Sequence, residues 1–216
     1  MMLGRWGRSA DPTLREAEGE LDRLRAGDPA ALTALIGRHH GSMLALARSI
    51  LRDAAAAEDA TQEAWIAVMA GLPAFEGRSR LSTWILAILV NKARSHARRE
   101  GRYVALAMED DPGDEAEGPE RFDATGHWRV RPDSLAAITP ERILAGREAL
   151  DQVRGLIDQL PPAQRAVLVL RDVEGESAAE TAALLGLSDE NQRVLLHRAR
   201  TRLRRALDDL ARQGGP

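Results

Sequence analysis

Residues 176–200 read "ESAAETAALLGLSDENQRVLLHRAR", and the order of residue types in this stretch decides the fold. Ser177 followed three residues later by Glu180 forms a capping box, in which each side chain satisfies a free amide at a helix start. Ala182, Leu184 and Leu185 give that helix its apolar residues. Gly186 suits the left-handed position just past a helix end, and Ser188 can cap the helix that follows. The stretch therefore predicts a short helix, a tight turn and a longer helix. In a helix-turn-helix of this form the second helix lies in the major groove. Its first residues meet base edges, and flanking basic groups hold phosphate. Asp189, Glu190, Asn191, Gln192 and Arg193 occupy the reading positions, next to Ser188. Arg198, Arg200 and Arg202 are candidates for the DNA backbone. Asn and Gln can pair with adenine and Arg with guanine, so the residue types suit readout. His197 joins the candidates, although alone it reads as a helix-surface histidine. Leu195 and Leu196 mainly pack, since Val194, Leu195 and Leu196 cannot all face DNA. The plainer alternative is a helical hairpin with a solvated basic face; cap, glycine turn and polar-then-basic order together speak against it.

Six arginines between Arg193 and Arg205 sit oddly in a chain of net charge -3. The conflict is one of averaging. From Met108 to Asp123 there are eight acids (Glu109, Asp110, Asp111, Asp114, Glu115, Glu117, Glu120, Asp123) and one base, Arg121, a net of -7 that leaves +4 for the remainder. Such a block, rich in Gly and Pro, cannot bury apolar surface and is expected to be a disordered tether.

Hydrophobic content of 44% with 29% charged residues fits an ordinary globular protein. No apolar run approaches the roughly 20 residues that span a bilayer, so membrane insertion is not expected. Residues 1–26 lack the apolar core of a signal peptide and read as a disordered leader, which points to the cytoplasm. The absence of cysteine removes disulfides, Cys-ligated metal and thiol catalysis. No nucleophile, metal cluster or phosphate loop appears, so neither an enzyme nor a cofactor is expected. The adjacent pair His39–His40 makes a poor metal site, because neighbouring rings on a helix point apart.

Helical periodicity covers residues 27–100 as three or four helices. "GDP" at 27–29 enters the first, "GLPAF" at 71–75 separates the second from the third, and Ser82 or Thr83 can cap the third. Residues 101–139 lack sustained periodicity and contain Pro112, Pro119 and Pro132. Patterning resumes over 140–212, with Pro161 and Pro162 at a helix N-terminus, before a short tail at 213–216. The expected fold is all-α, two helical domains joined by a long acidic linker. An aromatic and basic island at 125–143 adds Trp128, which most simply packs on the second domain.

In "AEDATQEAW", residues 57–65, Asp59, Gln62 and Glu63 share one helix face and by themselves read as a solvated surface. The following "FEGRSRLSTWILAILVNKARSHARRE" supplies an aromatic, a polar loop, a tryptophan and then Lys92, Arg94, Arg98 and Arg99. Loop, ring and basic helix suit single-stranded or melting DNA, where bases stack on aromatics and phosphates meet arginine. A tryptophan in a core is nevertheless the commoner arrangement.

These stretches in this order, across residues 27–100 and 140–210, resemble the ECF (extracytoplasmic-function) group of bacterial sigma factors. The resemblance implies a region 2-like helical bundle and a region 4-like helix-turn-helix in a promoter-specific initiation subunit of RNA polymerase. It assigns Asp59, Gln62 and Glu63 to core polymerase, at the clamp of the largest subunit. Ser79, Arg80, Ser82, Thr83, Trp84, Asn91, Arg94 and Arg98 fall to the -10 element. Ser188, Glu190, Asn191, Gln192, Arg193, His197, Arg198 and Arg200 fall to the -35 element, on a domain that also sits on the flap of the second-largest subunit. Family members are commonly held inactive by an anti-sigma factor. Many also carry a Val-Lys-Ser-Arg-like sequence where this chain has Gln192 to Leu195, which leaves the base-reading set open. The competing reading is a stand-alone helix-turn-helix regulator with a helical sensor domain, which has no need of the 57–65 and 81–99 pair.

Overall fold

Asp28 begins the first bundle as the sequence predicts: its carboxylate accepts from the amides of Ala30 and Ala31, and Pro29 takes the first helical position. Helix α2 then runs Pro29–Ile50, α3 Ala54–Gly71, and α4 Leu81–Arg99. The computed structural model describes residues 12–51, 53–99 and 146–213; the expected acidic linker at 101–139, the 125–143 island with Trp128, and residues 214–216 of the tail lie outside them. Among the described residues every regular element is helical.

One expectation is corrected at the start. Rather than a leader to residue 26, the chain forms helix α1 over Pro12–Arg25, and Leu24 is 2% exposed in the core. The Asp28 amide donates to the Arg23 carbonyl and Gly27 is left-handed at φ 74°, so "GDP" ends α1 as well as starting α2. Arg25 also donates to the carbonyl of Phe75, tying α1 to the loop before α4.

α2, α3 and α4 pack on one another. Ala56, Ala57, Ala60 and Ala64 are buried on α3 and leave no long side chain to hold its neighbours away. Met43 and Leu46 of α2 and Ile85, Leu86 and Leu89 of α4 fill the centre with no exposure. Each fully buried Leu or Ile contributes about 1.5–3 kcal/mol relative to exposure. A short 3-10 turn, Leu72–Ala74, leads from α3 toward α4.

The second unit comprises α5 (Gly146–Asp158), α6 (Pro162–Leu168), α7 (Ala178–Leu185) and α8 (Asp189–Gln213). Pro161 and Pro162 start α6 as expected. α6 continues into a π turn over Val169–Val173, closed by the Glu174 amide donating to the Val169 carbonyl at 3.0 Å. The two units meet: α2 packs on α6 and on the π turn, α4 packs on α7, and the buried apolar residues of both halves form one continuous core. Arg165 of α6 fixes this contact. Its guanidinium donates to Ser49 Oγ at 2.9 Å and to the Arg48 carbonyl at 2.8 Å, at the C-terminal end of α2 where a cation is favoured.

Candidate nucleic-acid interface

The helix-turn-helix forms from the residues that announced it. Ser177 accepts from the Glu180 amide at 3.1 Å, and the Glu180 carboxylate accepts from the Ser177 amide at 2.9 Å. These bonds hold the Glu180 carboxyl below its ordinary pKa, the Ser177 side chain contributing most. Gly186 adopts φ 68°, and Ser188 Oγ accepts from the Asn191 amide at 3.2 Å.

α8 then divides into an inner and an outer face. Leu195, Leu196 and Ala199 are buried, as expected for the packing stripe. Ser188, Asp189, Glu190, Arg193 and Val194 are exposed, and Asn191, His197 and Arg198 are half-buried. Two residues expected at the -35 element, Gln192 as a base reader and Arg200 as a backbone contact, are placed differently. Gln192 is 1% exposed, with no hydrogen-bond partner for its amide oxygen or nitrogen. It stands three, four and seven residues before Leu195, Leu196 and Ala199, so helical spacing puts it on their side. Arg200 is 7% exposed and gives its guanidinium to Asp172 of the π turn, with oxygens at 2.8 and 2.6 Å. Val194, absent from the expected set, lies on the outer face between them.

On the first unit, Trp84 is half-buried. Its ring lies 4.9 Å from that of Phe75, and its six-membered edge occupies the space beside Gly71, where a Cβ would come within 2.9 Å. Ser79, Asn91 and Arg98 are exposed. Ser82 and Thr83 do not cap α4; they lie within its first turn, and their hydroxyls donate to Glu176 of the second unit. Arg80 donates to the carbonyls of Gly175 and Glu174, and the Arg94 guanidinium comes within 3.5 Å of where a Gly186 side chain would begin. Four of the eight residues expected at the -10 element thus face the helix-turn-helix unit.

α3 presents a separate surface. Asp59 and Gln62 are exposed, and Ile66 and Met69 continue their stripe at 70% and 40% exposure. These two apolar residues are not among the sequence candidates, although their i+7 and i+10 spacing from Asp59 puts them on its face. Glu63 turns toward α4 and pairs with His96 Nε2 at 3.0 Å and Lys92 Nζ at 3.3 Å. Hydrogen bonding from His96, then Lys92, lowers its pKa.

His39 and His40 go separate ways, His39 to Glu174 at 2.8 Å and His40 to the indole nitrogen of Trp65 at 3.3 Å. Among the described residues no group of three or more His, Cys, Asp or Glu is placed to hold a metal ion. No helix among them is long and apolar enough to cross a membrane.

A family model of sigma-70 region 2 matches residues 35–103, and one of sigma-70 region 4 matches residues 150–203. The RNA polymerase sigma-H factor of Pseudomonas aeruginosa is 30% identical over 194 residues, covering 89% of this chain and 94% of that protein. The ECF RNA polymerase sigma factor SigM of Mycobacterium tuberculosis is 30% identical over 182 residues, covering 84% and 80%. Among solved structures, the sigma factor RpoE in complex with the anti-sigma factor NepR from Bartonella quintana aligns with a TM-score of 0.44 at 21% identity, over 90% of this chain and 95% of that one.

Proposed function

The chain belongs to the extracytoplasmic-function group of the sigma-70 family of RNA polymerase sigma factors, and from that premise we propose how its surfaces divide the work of promoter-directed initiation. The protein binds core RNA polymerase and directs it to promoters. The α3 stripe of Asp59, Gln62, Ile66 and Met69 docks on the clamp of the largest subunit, with Glu63 bracing α3 against α4. An exposed apolar pair rimmed by polar side chains is what a protein partner covers. The α4 start, with Arg80, Ser82, Thr83 and Trp84, together with Ser79, Asn91, Arg94 and Arg98, engages the -10 element as it opens. On α8, Glu190, Arg193 and Val194 face the -35 bases beside Ser188 and Asn191, while His197 and Arg198 approach the backbone. Gln192 and Arg200 hold α8 in place from within. The region 4 unit is assigned to the flap of the second-largest subunit, and an anti-sigma factor is the regulatory partner. The site of action is the cytoplasm, where the polymerase is. The protein itself performs no chemistry; the polymerase supplies it.

The observation that carries this reading is the occurrence of both units in one chain, each with an outward surface of its own. A stand-alone regulator needs only the second, and that alternative is set aside. The test is to mix the protein with core polymerase and transcribe genomic fragments. Specific start sites that depend on the protein are expected, and failure to bind core would refute the assignment.

A further inference from the structure

Glu176 is 1% exposed, and each of its carboxylate oxygens is taken by a hydroxyl from the other unit. Ser82 Oγ donates to Oε1 at 2.7 Å and Thr83 Oγ1 donates to Oε2 at 2.6 Å. Ser82 and Thr83 are the second and third residues of α4, whose N-terminal amides and dipole favour an anion. Arg80 stands at the same end, donating to the Gly175 carbonyl at 2.6 Å and the Glu174 carbonyl at 3.4 Å. A buried carboxylate is costly unless donors are arranged for it. Two hydroxyls at a helix start are such an arrangement, and with the Arg80 guanidinium beside them, here held by the Gly175 and Glu174 carbonyls, the same set recognises phosphate.

We propose that the N-terminus of α4, with Arg80, Ser82 and Thr83, is a binding site for a DNA phosphate, and that Glu176 of the chain's own helix-turn-helix unit occupies it in the free protein. The proposal rests on the assignment of these residues to promoter DNA made above. The backbone delivers Glu176 firmly to this position. Its amide donates to the Leu170 carbonyl at 2.8 Å, Gly175 before it is left-handed at φ 68°, and the Ser177 capping box follows directly. His39 and Glu174 pair at 2.8 Å on the same boundary. Phosphate and carboxylate cannot share the two hydroxyls, so DNA entry requires the Glu174–Glu176 corner to withdraw. Withdrawal leaves no group unsatisfied, because carboxylate, hydroxyls and guanidinium all regain water. The latch therefore couples the two DNA-reading surfaces: neither the α4 start nor the α7 face toward it is uncovered alone.

The test uses the full chain, which has no cysteine of its own, labelled with donor and acceptor dyes on Ala70→Cys in α3 and Ala183→Cys in α7, both exposed positions. Energy transfer is compared for wild type, Glu176→Gln and Glu176→Ala, and binding of a labelled 20-nucleotide single-stranded DNA of randomised sequence is followed by anisotropy. The Gln variant keeps the side chain's size and guards against an Ala variant that folds poorly. Lower transfer and about tenfold tighter DNA binding are expected, the scale of losing one charge-assisted hydrogen bond. Unchanged transfer in both variants overturns the latch, and lower transfer with unchanged DNA affinity overturns the phosphate site. Failure of the sigma factor assignment would appear separately, as absence of core-polymerase binding, which does not involve Glu176.

Discussion

Arg200, in the middle of α8, donates from Nε and Nη2 to the two carboxylate oxygens of Asp172 at 2.8 and 2.6 Å. This two-pronged bond ties the recognition helix to the π turn that carries the Glu174–Glu176 corner. Arg200→Ala should therefore lower stability by about 1–3 kcal/mol, since it leaves a charged acceptor without its donors. Arg193→Ala, at an exposed position, should stay within about 0.5 kcal/mol of wild type in stability. It should instead cost roughly 1–3 kcal/mol of -35 discrimination. Urea unfolding and binding to matched and mismatched -35 duplexes separate the two; similar unfolding curves for both variants would contradict the assignment.

Gly71 and Trp84 form a close fit at the end of α3. A methyl at position 71 would meet Trp84 Cζ2 at 2.9 Å and Cη2 at 3.1 Å, so the indole must move. Gly71→Ala is expected to destabilise by about 1–3 kcal/mol, the usual cost of overpacking. It should also change the near-ultraviolet circular dichroism of the Phe75–Trp84 pair. A variant as stable as wild type with an unaltered spectrum would show that the ring has room.

Val194 offers an apolar contact to the 5-methyl group of thymine from the outer face of α8. Replacing each thymine of the -35 element by deoxyuridine removes one methyl at a time. Wild type should lose about 0.8 kcal/mol at one position, the value of one buried methyl or methylene group. Val194→Ala should lose little more there. Equal sensitivity of both proteins at every position would exclude the contact.

Asp59→Arg and Ile66→Asp alter exposed positions of α3 and should leave stability within about 0.5 kcal/mol of wild type. Both should weaken binding to core polymerase, measured by titrating labelled protein with core. Retained affinity in both would move the docking surface elsewhere.

Glu63 gives a pH dependence with a definite sign. Its folded pKa is depressed below 4.5 by the His96 hydrogen bond first and Lys92 second. The stabilisation is therefore fully present above the ordinary carboxylate value and disappears as pH falls through the lower folded value. The stability difference between wild type and Glu63→Gln should shrink on acidification across that window. A difference constant with pH would mean that Glu63 is unpaired in solution.

Local chemistry made much of this fold legible. The Asp28–Pro29 start, the Pro161–Pro162 start, the Ser177–Glu180 box and the Gly186 turn each depend on residues within a few positions, and each formed as read. The lack of an apolar core in the leader does not reveal α1, which Leu24 and Arg25 hold through the bundle. Residue type suits Gln192 to base reading, whereas its spacing from Leu195 and Ala199 places it inside. The Ser82–Glu176 bond spans 94 residues, and no periodicity or cap rule connects its two ends. Helix starts and turns are thus legible from neighbouring residues, whereas partners that meet across the two units are not.

The π turn at Val169–Val173 has a consequence for how the two halves stay in phase. A π turn accommodates one more residue than an α-helical turn, and one residue of an α-helix corresponds to about 100° of rotation. Deleting a single residue there, with every contacting side chain retained, would swing the Glu174–Glu176 corner around the α6 axis and away from α4. The alignment of the two units is therefore set by chain length at one point as much as by the chemistry of the groups that meet.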